Sequence, residues 1–272
     1  FDRARMEIHG KTLRTLGVAL SNVKAVIPDL GAHENMMLEI DGQGAGPLQE
    51  FLRYVSVTPV LDWIGHFTED TRGSGNAKLG LKLRMPLSHL HDTKVQGSLQ
   101  LQNNDVSLFP ELPTLQSAQG RIDFHDHGFG LEAIRANFLG EPVSVAGGTQ
   151  RDGSTRVLLD GVLSAEGMRR TAPAPALGRL AERLSGSAHY TGSIVVREGR
   201  RTIAVSSTLA GLGVELPHPL NKAAEASLPL DFVLEGAPTM AGLGRDEIRI
   251  GVGPNLAARY LREKQGKGPW RV

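Results

Sequence analysis

The chain has 272 residues, 40% hydrophobic and only 5% aromatic, with 30 basic against 29 acidic side chains and a net charge of +1. This is enough apolar material for a sizeable core, and the charge balance argues against a dedicated nucleic-acid binder, which needs a concentrated basic face to release counterions. Cysteine is absent, which removes disulfides, thiolate metal sites and cysteine nucleophiles, and no apolar run approaches the ~20 residues a membrane-spanning helix needs.

Taken in order, the elements are mostly short extended runs. Arg3 to His9 alternates with Ala4, Met6 and Ile8 on one face and is expected to turn at Gly10-Lys11. Leu16–Leu20 and Asn22–Ile27 read as two further runs, and Met36–Ile40 as a strand closing at Asp41-Gly42. The period then changes: Leu48, Phe51, Leu52 and Val55 recur at helical spacing after Pro47, so a helical insert is predicted over about 47–65, interrupted at Thr58-Pro59. From Gly73 the strands return. In Asn76–Met85, Ala77, Leu79, Leu81, Leu83 and Met85 share one face while Lys78, Lys82 and Arg84 share the other, a pattern that only an extended chain separates.

Lys94–Gln102 places Val95, Leu99 and Leu101 on one face, and Asn103-Asn104 is expected to break it before Val106–Phe109. Gly120–Phe124 and Phe129–Ile134 form a hairpin around His125-Asp126-His127-Gly128, followed by Arg135–Phe138, Val143–Gly147 and a long strand over Ser154–Ala165 carrying Val157, Leu159 and Leu163. A second helical segment is predicted at about 166–185 from Leu177, Leu180, Ala181 and Leu184. Ala188–Val196 and Arg200–Leu209 make the clearest hairpin, and Leu230–Leu234, Asp246–Val252 and Leu256–Leu261 alternate after it, the last also drawable as a short helix.

The motifs that suggest chemistry do not hold up. Gly42-Gln43-Gly44-Ala45-Gly46-Pro47 resembles a phosphate loop, but Pro47 replaces the final glycine and no Lys-Ser/Thr pair follows, so a strand-to-helix turn is the reading. His33-Glu34-Asn35-Met36-Met37 has Met37 where a zinc protease needs its second histidine. His125, Asp126 and His127, like His89, His91 and Asp92, read as solvated turns, and no nucleophile elbow or paired carboxylate setting is present. The basic run of Arg259, Arg262, Lys264, Lys267 and Arg271 reads as a solvated strand edge and turn. No metal, cofactor or catalytic residue is assigned.

About a dozen or more strands and two helical segments leave more apolar sheet than the helices can cover. Either the sheet folds over itself into a sandwich or barrel core, or a ligand with long apolar chains lies along it.

Several longer motifs resemble the YhdP-like branch of the AsmA-type bacterial envelope proteins. Gly46-Pro47-Leu48 through Val55 with Thr58-Pro59-Val60 looks like that family's G-P-L helical segment; Asn103-Asn104, Leu112-Pro113-Leu115 and Gly120-Arg121-Ile122-Asp123-Phe124 look like its run toward a G-x-[IL]-x-F strand. Ser207-Thr208-Leu209-Ala210-Gly211-Leu212 and Leu216-Pro217-His218-Pro219-Leu220-Asn221-Lys222 are similar to its S-x-L-x-G and L-P-x-P-L-x-K pair, whereas Phe138-Leu139-Gly140-Glu141-Pro142 departs from L-G-G-P by placing Glu141 for Gly.

The resemblance implies a mainly β protein, an elongated, curled antiparallel sheet forming an open apolar groove with two or so short helical segments, residues 1–272 being one continuous segment of a longer chain. It implies a periplasmic, non-enzymatic bridge for lipid, with phospholipid and other envelope proteins as partners and the full-length protein anchored in the inner membrane of a Gram-negative cell. The expected lining is Leu79, Leu81, Leu83, Met85, Val95, Leu99, Leu101, Val157, Leu159, Ile203 and Val205. The alternative is a scaffolding envelope module with a closed β core and a protein partner. A polysaccharide hydrolase on a β scaffold would need paired carboxylates in a cleft.

Overall fold

The computed structural model describes residues 5–15, 17–32, 35–58, 60–110, 112–171, 175–218, 221–236, 243–254 and 256–265. Its strands are β1 (Met6–Thr15), β2 (Val18–Ile27), β3 (Met37–Pro47), β4 (Arg72–Gly73), β5 (Asn76–Pro86), β6 (Lys94–Ser107), β7 (Leu115–His125), β8 (Gly128–Phe138), β9 (Glu141–Thr149), β10 (Thr155–Ser164), β11 (Leu184–Arg197), β12 (Arg200–Ser207), β13 (Leu212–Val214), β14 (Leu230–Gly236), β15 (Leu243–Val252) and β16 (Leu256–Gln265). They form one antiparallel, unclosed sheet in sequence order from β1 to β16, with β4 added on β6 and β13 on β11. Four short helices are described, in two inserts: α1 (Leu48–Ser56) with α2 (Val60–Trp63), and α3 (Ala165–Thr171) with α4 (Pro175–Ala181). The protein is thus mainly β and antiparallel, as the alternating pattern predicts. Leu184 belongs to β11 rather than to the second helical segment, and the last run, β16, is a strand and not a helix.

Several expected breaks are not breaks. β1 runs through Gly10-Lys11, and the chain reverses instead between the paired residues Thr15 and Val18, where Gly17 adopts φ +76. β2 is one strand with an irregularity between Ser21 and Lys24, which Asn22 absorbs at φ 53. β6 continues through Asn103-Asn104 in the same way, with Asn103 at φ 58. The reason is common to both: asparagine tolerates the left-handed region, so it inserts a bulge into a strand as readily as it ends one.

The Gly42–Gly46 segment is the plainest correction, because it is strand β3 and not a turn. A Cβ on Gly42 would stand 3.3 Å from Val23 Cγ2, and one on Gly44 would stand 3.2 Å from both Leu20 Cδ2 and Val18 Cγ1. The glycines there make room for large neighbours on the adjoining strand. No backbone is left free to wrap a phosphate.

Two compact units result, one of Phe1–Phe109 with Gln116–Ile134, the other of Pro110–Leu115 with Arg135–Val272. In the first, α1 and α2 connect the end of β3 to β4 and β5, rooted where Pro47 pairs with Asn76 and the Leu48 N–H donates to the Gly75 carbonyl at 2.8 Å. Leu48 and Phe51 are buried, and a Cβ on Gly73 would lie 2.5 Å from Leu48 Cδ2, so the helix sits tightly on β4. Phe67 meets Phe109 edge-on at 5.9 Å and Phe129 at 5.4 Å, which gives this end an aromatic core.

Asn104 ties the same end together. It is wholly buried, its Oδ1 accepting from the Gln102 N–H at 2.7 Å and its Nδ2 donating to the carbonyls of Ser74 and Asn76 at 2.8 and 3.2 Å. In the second unit, α3 and α4 occupy the corresponding connection between β10 and β11. Ala165, Met168, Ala181, Leu184, Ala188, Leu209 and Leu212 form a core cluster there. Lys222, also buried, donates through Nζ to the carbonyls of Ala223, Ala224 and Ala226 and holds the loop after β13.

The polar face of the sheet is laced by cross-strand ion pairs. Arg84 meets Glu39 at 2.9 Å, Lys82 meets Asp41 at 3.7 Å, and Arg259 meets Glu247 at 2.7 Å. At β1, Glu7 accepts from Lys24 at 2.8 Å, His9 at 2.6 Å and Arg5 at 2.8 Å, and these donors, Lys24 foremost, pull its carboxyl from the ordinary 4.5 down to about 2.

Two measurements check this account. Asn104→Ala leaves one buried N–H and two carbonyls without their partner, and is expected to lower unfolding stability by about 2 kcal/mol in urea denaturation. A depressed carboxyl contributes stability that is present above its unfolded pKa and lost as pH falls through the folded one. A carbon NMR titration of the Glu7 carboxyl should therefore give a midpoint near 2 instead of 4.5, with the pairing of β1 and β2 weakening between those values as acid is added.

Candidate functional site

Because side chains alternate along each strand, the antiparallel register lines up residues from successive strands into rows on one face. In the first unit the pairs Ala77–Leu101, Leu79–Leu99, Leu81–Gly97 and Leu83–Val95 fall on the apolar face, with Met85 opposite Leu38. The row nearest the helical insert is sealed, Ala77 and Leu101 being buried. Farther out Leu79, Leu81, Leu83, Met85 and Leu99 are each half-buried, while Val95 is buried. Leu81 stands between two glycines, Gly42 on β3 and Gly97 on β6. Phe124 lies over Gly97, its Cζ 2.5 Å from where a Cβ would be.

In the second unit two consecutive apolar rows cross the sheet. One joins Val157, Ile194, Ile203, Leu234, Ile248 and Tyr260; the other joins Val145, Leu159, Gly192, Val205, Phe232 and Ile250. Exposure rises toward the edge strand: Val157 and Ile203 retain 1% and 2%, Ile248 is half-buried, and Tyr260 is 48% exposed. Leu159 is buried and Val205 half-buried. The register thus groups the expected lining residues by unit: Leu79, Leu81, Leu83, Met85, Val95, Leu99 and Leu101 on one face of the first, Val157, Leu159, Ile203 and Val205 on one face of the second.

Three polar features of the second face escaped the sequence reading. The Tyr190 hydroxyl is buried and without a hydrogen-bond partner, 3.0 Å from where a Cβ on Gly161 would stand; burial pushes the phenol up to about 12, and the Asp160 charge adds to the effect. Asp246 is 1% exposed and accepts from Arg262 Nη2 at 2.7 Å and Nε at 3.2 Å. Arg201 is half-buried beside it: its Nε and Asp246 Oδ1 both lie 2.9 Å from where a Cβ on Gly236 would stand. The signal was available, because Asp246 falls in the apolar register of Ile248, Ile250 and Val252, and Arg262 in that of Ala258 and Tyr260.

Arg262 therefore departs from the solvated run in which it was placed, whereas Arg259 keeps to the polar face with Glu247. Lys267 and Arg271 lie outside the described residues, as does His33. Among the described residues no group of three or more His, Asp or Glu is arranged to hold a metal ion, and no helix is long and apolar enough to cross a membrane. His125 ends β7 and His127 lies in the turn after it, both exposed, the His127 N–H donating to His125 Nδ1 at 3.0 Å.

The motif residues quoted above map onto joints more than onto the rows. Glu141 accepts a short hydrogen bond from the Ser164 hydroxyl, and Ser164 in turn receives the Gly167 N–H at 2.9 Å, so the departure from glycine at this position braces the start of α3. Ser207 Oγ receives the Leu209 N–H at 3.0 Å, and a Cβ on Gly211 would come within 2.3 Å of the Ser187 carbonyl.

No curated protein and no solved structure matches the chain significantly. The model of the family described as YhdP protein matches it over residues 1–272. With its whole length covered, the chain belongs to the YhdP family, AsmA-like envelope proteins of bacteria that are not known as enzymes.

Proposed function

We propose that this chain is a non-enzymatic segment of a periplasmic lipid bridge, its apolar sheet face holding phospholipid acyl chains on their way between inner and outer membrane. The observation that carries the reading is the strip of Leu79, Leu81, Leu83, Met85 and Leu99: five large apolar side chains on one face that stay only half-buried, whereas Ala77 and Leu101, in the row beside the helical insert, are buried. Leaving them to water is costly, and an acyl chain laid along them recovers about 0.8 kcal/mol per buried CH₂. The gain is nearly the same at each position, so a chain slides instead of lodging. Membrane anchoring belongs to the full-length protein in this reading, and other envelope proteins are its further partners.

A second reading has its own support. Val157, Ile194, Ile203 and Leu234 keep 1–3% of their exposure, which is what a closed β core in a scaffolding module would show. The two readings separate by cargo, since a conduit retains lipid and a closed core does not.

Native mass spectrometry of the purified chain is the test. Co-purifying phospholipid is expected, and Leu81→Asp, which sets a carboxylate between Gly42 and Gly97, is expected to cut its occupancy by about tenfold while circular dichroism stays unchanged. A lipid-free wild-type chain, or undiminished occupancy in the variant, would favour the scaffold.

A further inference from the structure

Among the described residues two buried side-chain polar atoms have no hydrogen-bond partner, Thr68 Oγ1 and the Tyr190 hydroxyl. The second belongs to the apolar face. Tyr190 is 6% exposed and pairs across the sheet with Gly161 of β10. Its Cζ and hydroxyl oxygen come within 3.1 and 3.0 Å of where a Cβ on that glycine would stand, and the Phe138 ring lies beside it with centroids 6.2 Å apart. Along β11 Tyr190 stands between Gly192, which shares a row with Leu159 and Val205, and Ala188, which belongs to the core cluster with Met168 and Ala181 of α3 and α4. Gly161 stands likewise between Leu159 and Leu163 on β10. The hydroxyl thus marks the place where the apolar rows meet the helical insert.

Stability does not account for it. A phenylalanine would pack the same ring, and a buried O–H without an acceptor makes folding less favourable. Burial and the Asp160 charge push the phenol up to about 12, so at neutral pH it is a donor. The same negative charge disfavours a carboxylate or phosphate oxygen as its acceptor, and the apolar neighbours disfavour any ion. A neutral carbonyl suits the position, and in an acyl lipid that group is the ester at the head of each chain. No hydrogen bond of the hydroxyl holds the ring against Gly161, so packing alone resists its turning toward a ligand on the face.

Resting on the lipid-bridge reading, we infer that the Tyr190 hydroxyl donates a hydrogen bond to an ester carbonyl of an acyl lipid whose chain lies on the row of Leu159, Gly192 and Val205. One neutral hydrogen bond changes affinity by about fivefold, enough to set the ester in register with the sheet and too little to trap the chain.

The test compares two phosphatidylglycerols with identical fluorescent chains, one ester-linked and one ether-linked, presented to the 272-residue chain in a maltoside detergent. The ether-linked probe lacks the carbonyls and keeps the headgroup and chains. The preference for the ester probe should be about fivefold greater in the wild type than in Tyr190→Phe, with ether binding the same in both. Tyr190→Phe should also melt at or above the wild-type temperature, since it gives up no hydrogen bond within the protein. An unchanged preference in Tyr190→Phe with native circular dichroism overturns the ester contact and leaves the apolar face standing. A variant that melts below the wild type also overturns it, because the hydroxyl would then serve the fold through a bound water. Retention of neither probe by the wild-type chain overturns the lipid-bridge reading and this inference with it.

Discussion

What the sheet depends on is the missing Cβ on its inward face. Gly42 and Gly44 receive Val23, Leu20 and Val18; Gly97 receives Phe124; Gly161 receives Tyr190; Gly236 receives Arg201. In each case a large side chain of a neighbouring strand comes within 3.3 Å of where the glycine's Cβ would stand, so it occupies space that any other residue would fill. Most of these glycines have ordinary extended backbones, and their role is volume. An alanine at Gly97 would collide with the Gly80 carbonyl at 2.4 Å and with the Phe124 ring at 2.5 Å, which shows how little room the arrangement leaves. A single-layer sheet packed in this way keeps its apolar face shallow and lets the sheet supply part of its own cover.

The two helical inserts complete the cover at one end of each unit and stop there. Leu48 and Phe51 are buried at the end of the sheet where Ala77 and Leu101 are buried, and Met168 and Ala181 share a core cluster with Ala188 and Leu209. Both inserts replace a tight turn between neighbouring antiparallel strands, so each is held by two strand ends and cannot slide along the face. The remaining rows are left to the sheet's own side chains. In the first unit these shield one another incompletely, and in the second they do so well except toward β16.

Much of this was legible in the residues. The alternation of Asn76–Met85 fixes which of its side chains are inward, and the change to helical spacing at Leu48 places the start of the first insert within a residue. The turn at Glu198-Gly199 follows from its chemistry, both residues adopting positive φ as a two-residue hairpin requires. Strand ends were misjudged where Gly10, Gly42 and Asn103 were read as punctuation. Local propensity marks such residues as breakers, but cross-strand packing decides whether the chain continues, and the neighbours Val23 and Leu20 are not visible from the local run. The burial of Val157 and Ile203 was likewise out of reach, because alternation tells which face a residue takes and not what stands over it.

The charged row puts a limit on how uniform the apolar face can be. Asp246 sits at 1% exposure in the register of Ile248 and Ile250, where a leucine would fit the pattern and avoid the desolvation of a carboxylate. The strand tolerates it because Arg262 is directly opposite on β16 and Gly236 directly opposite on β14, one supplying charge and the other space. Removing any one of the three exposes the cost of the others, so the row is a cooperative unit and not a set of independent polar substitutions. Its position beside rows that contain no charge gives this one stretch of sheet two chemistries within about 7 Å, an apolar one and a charged one, the spacing of two residues along a strand.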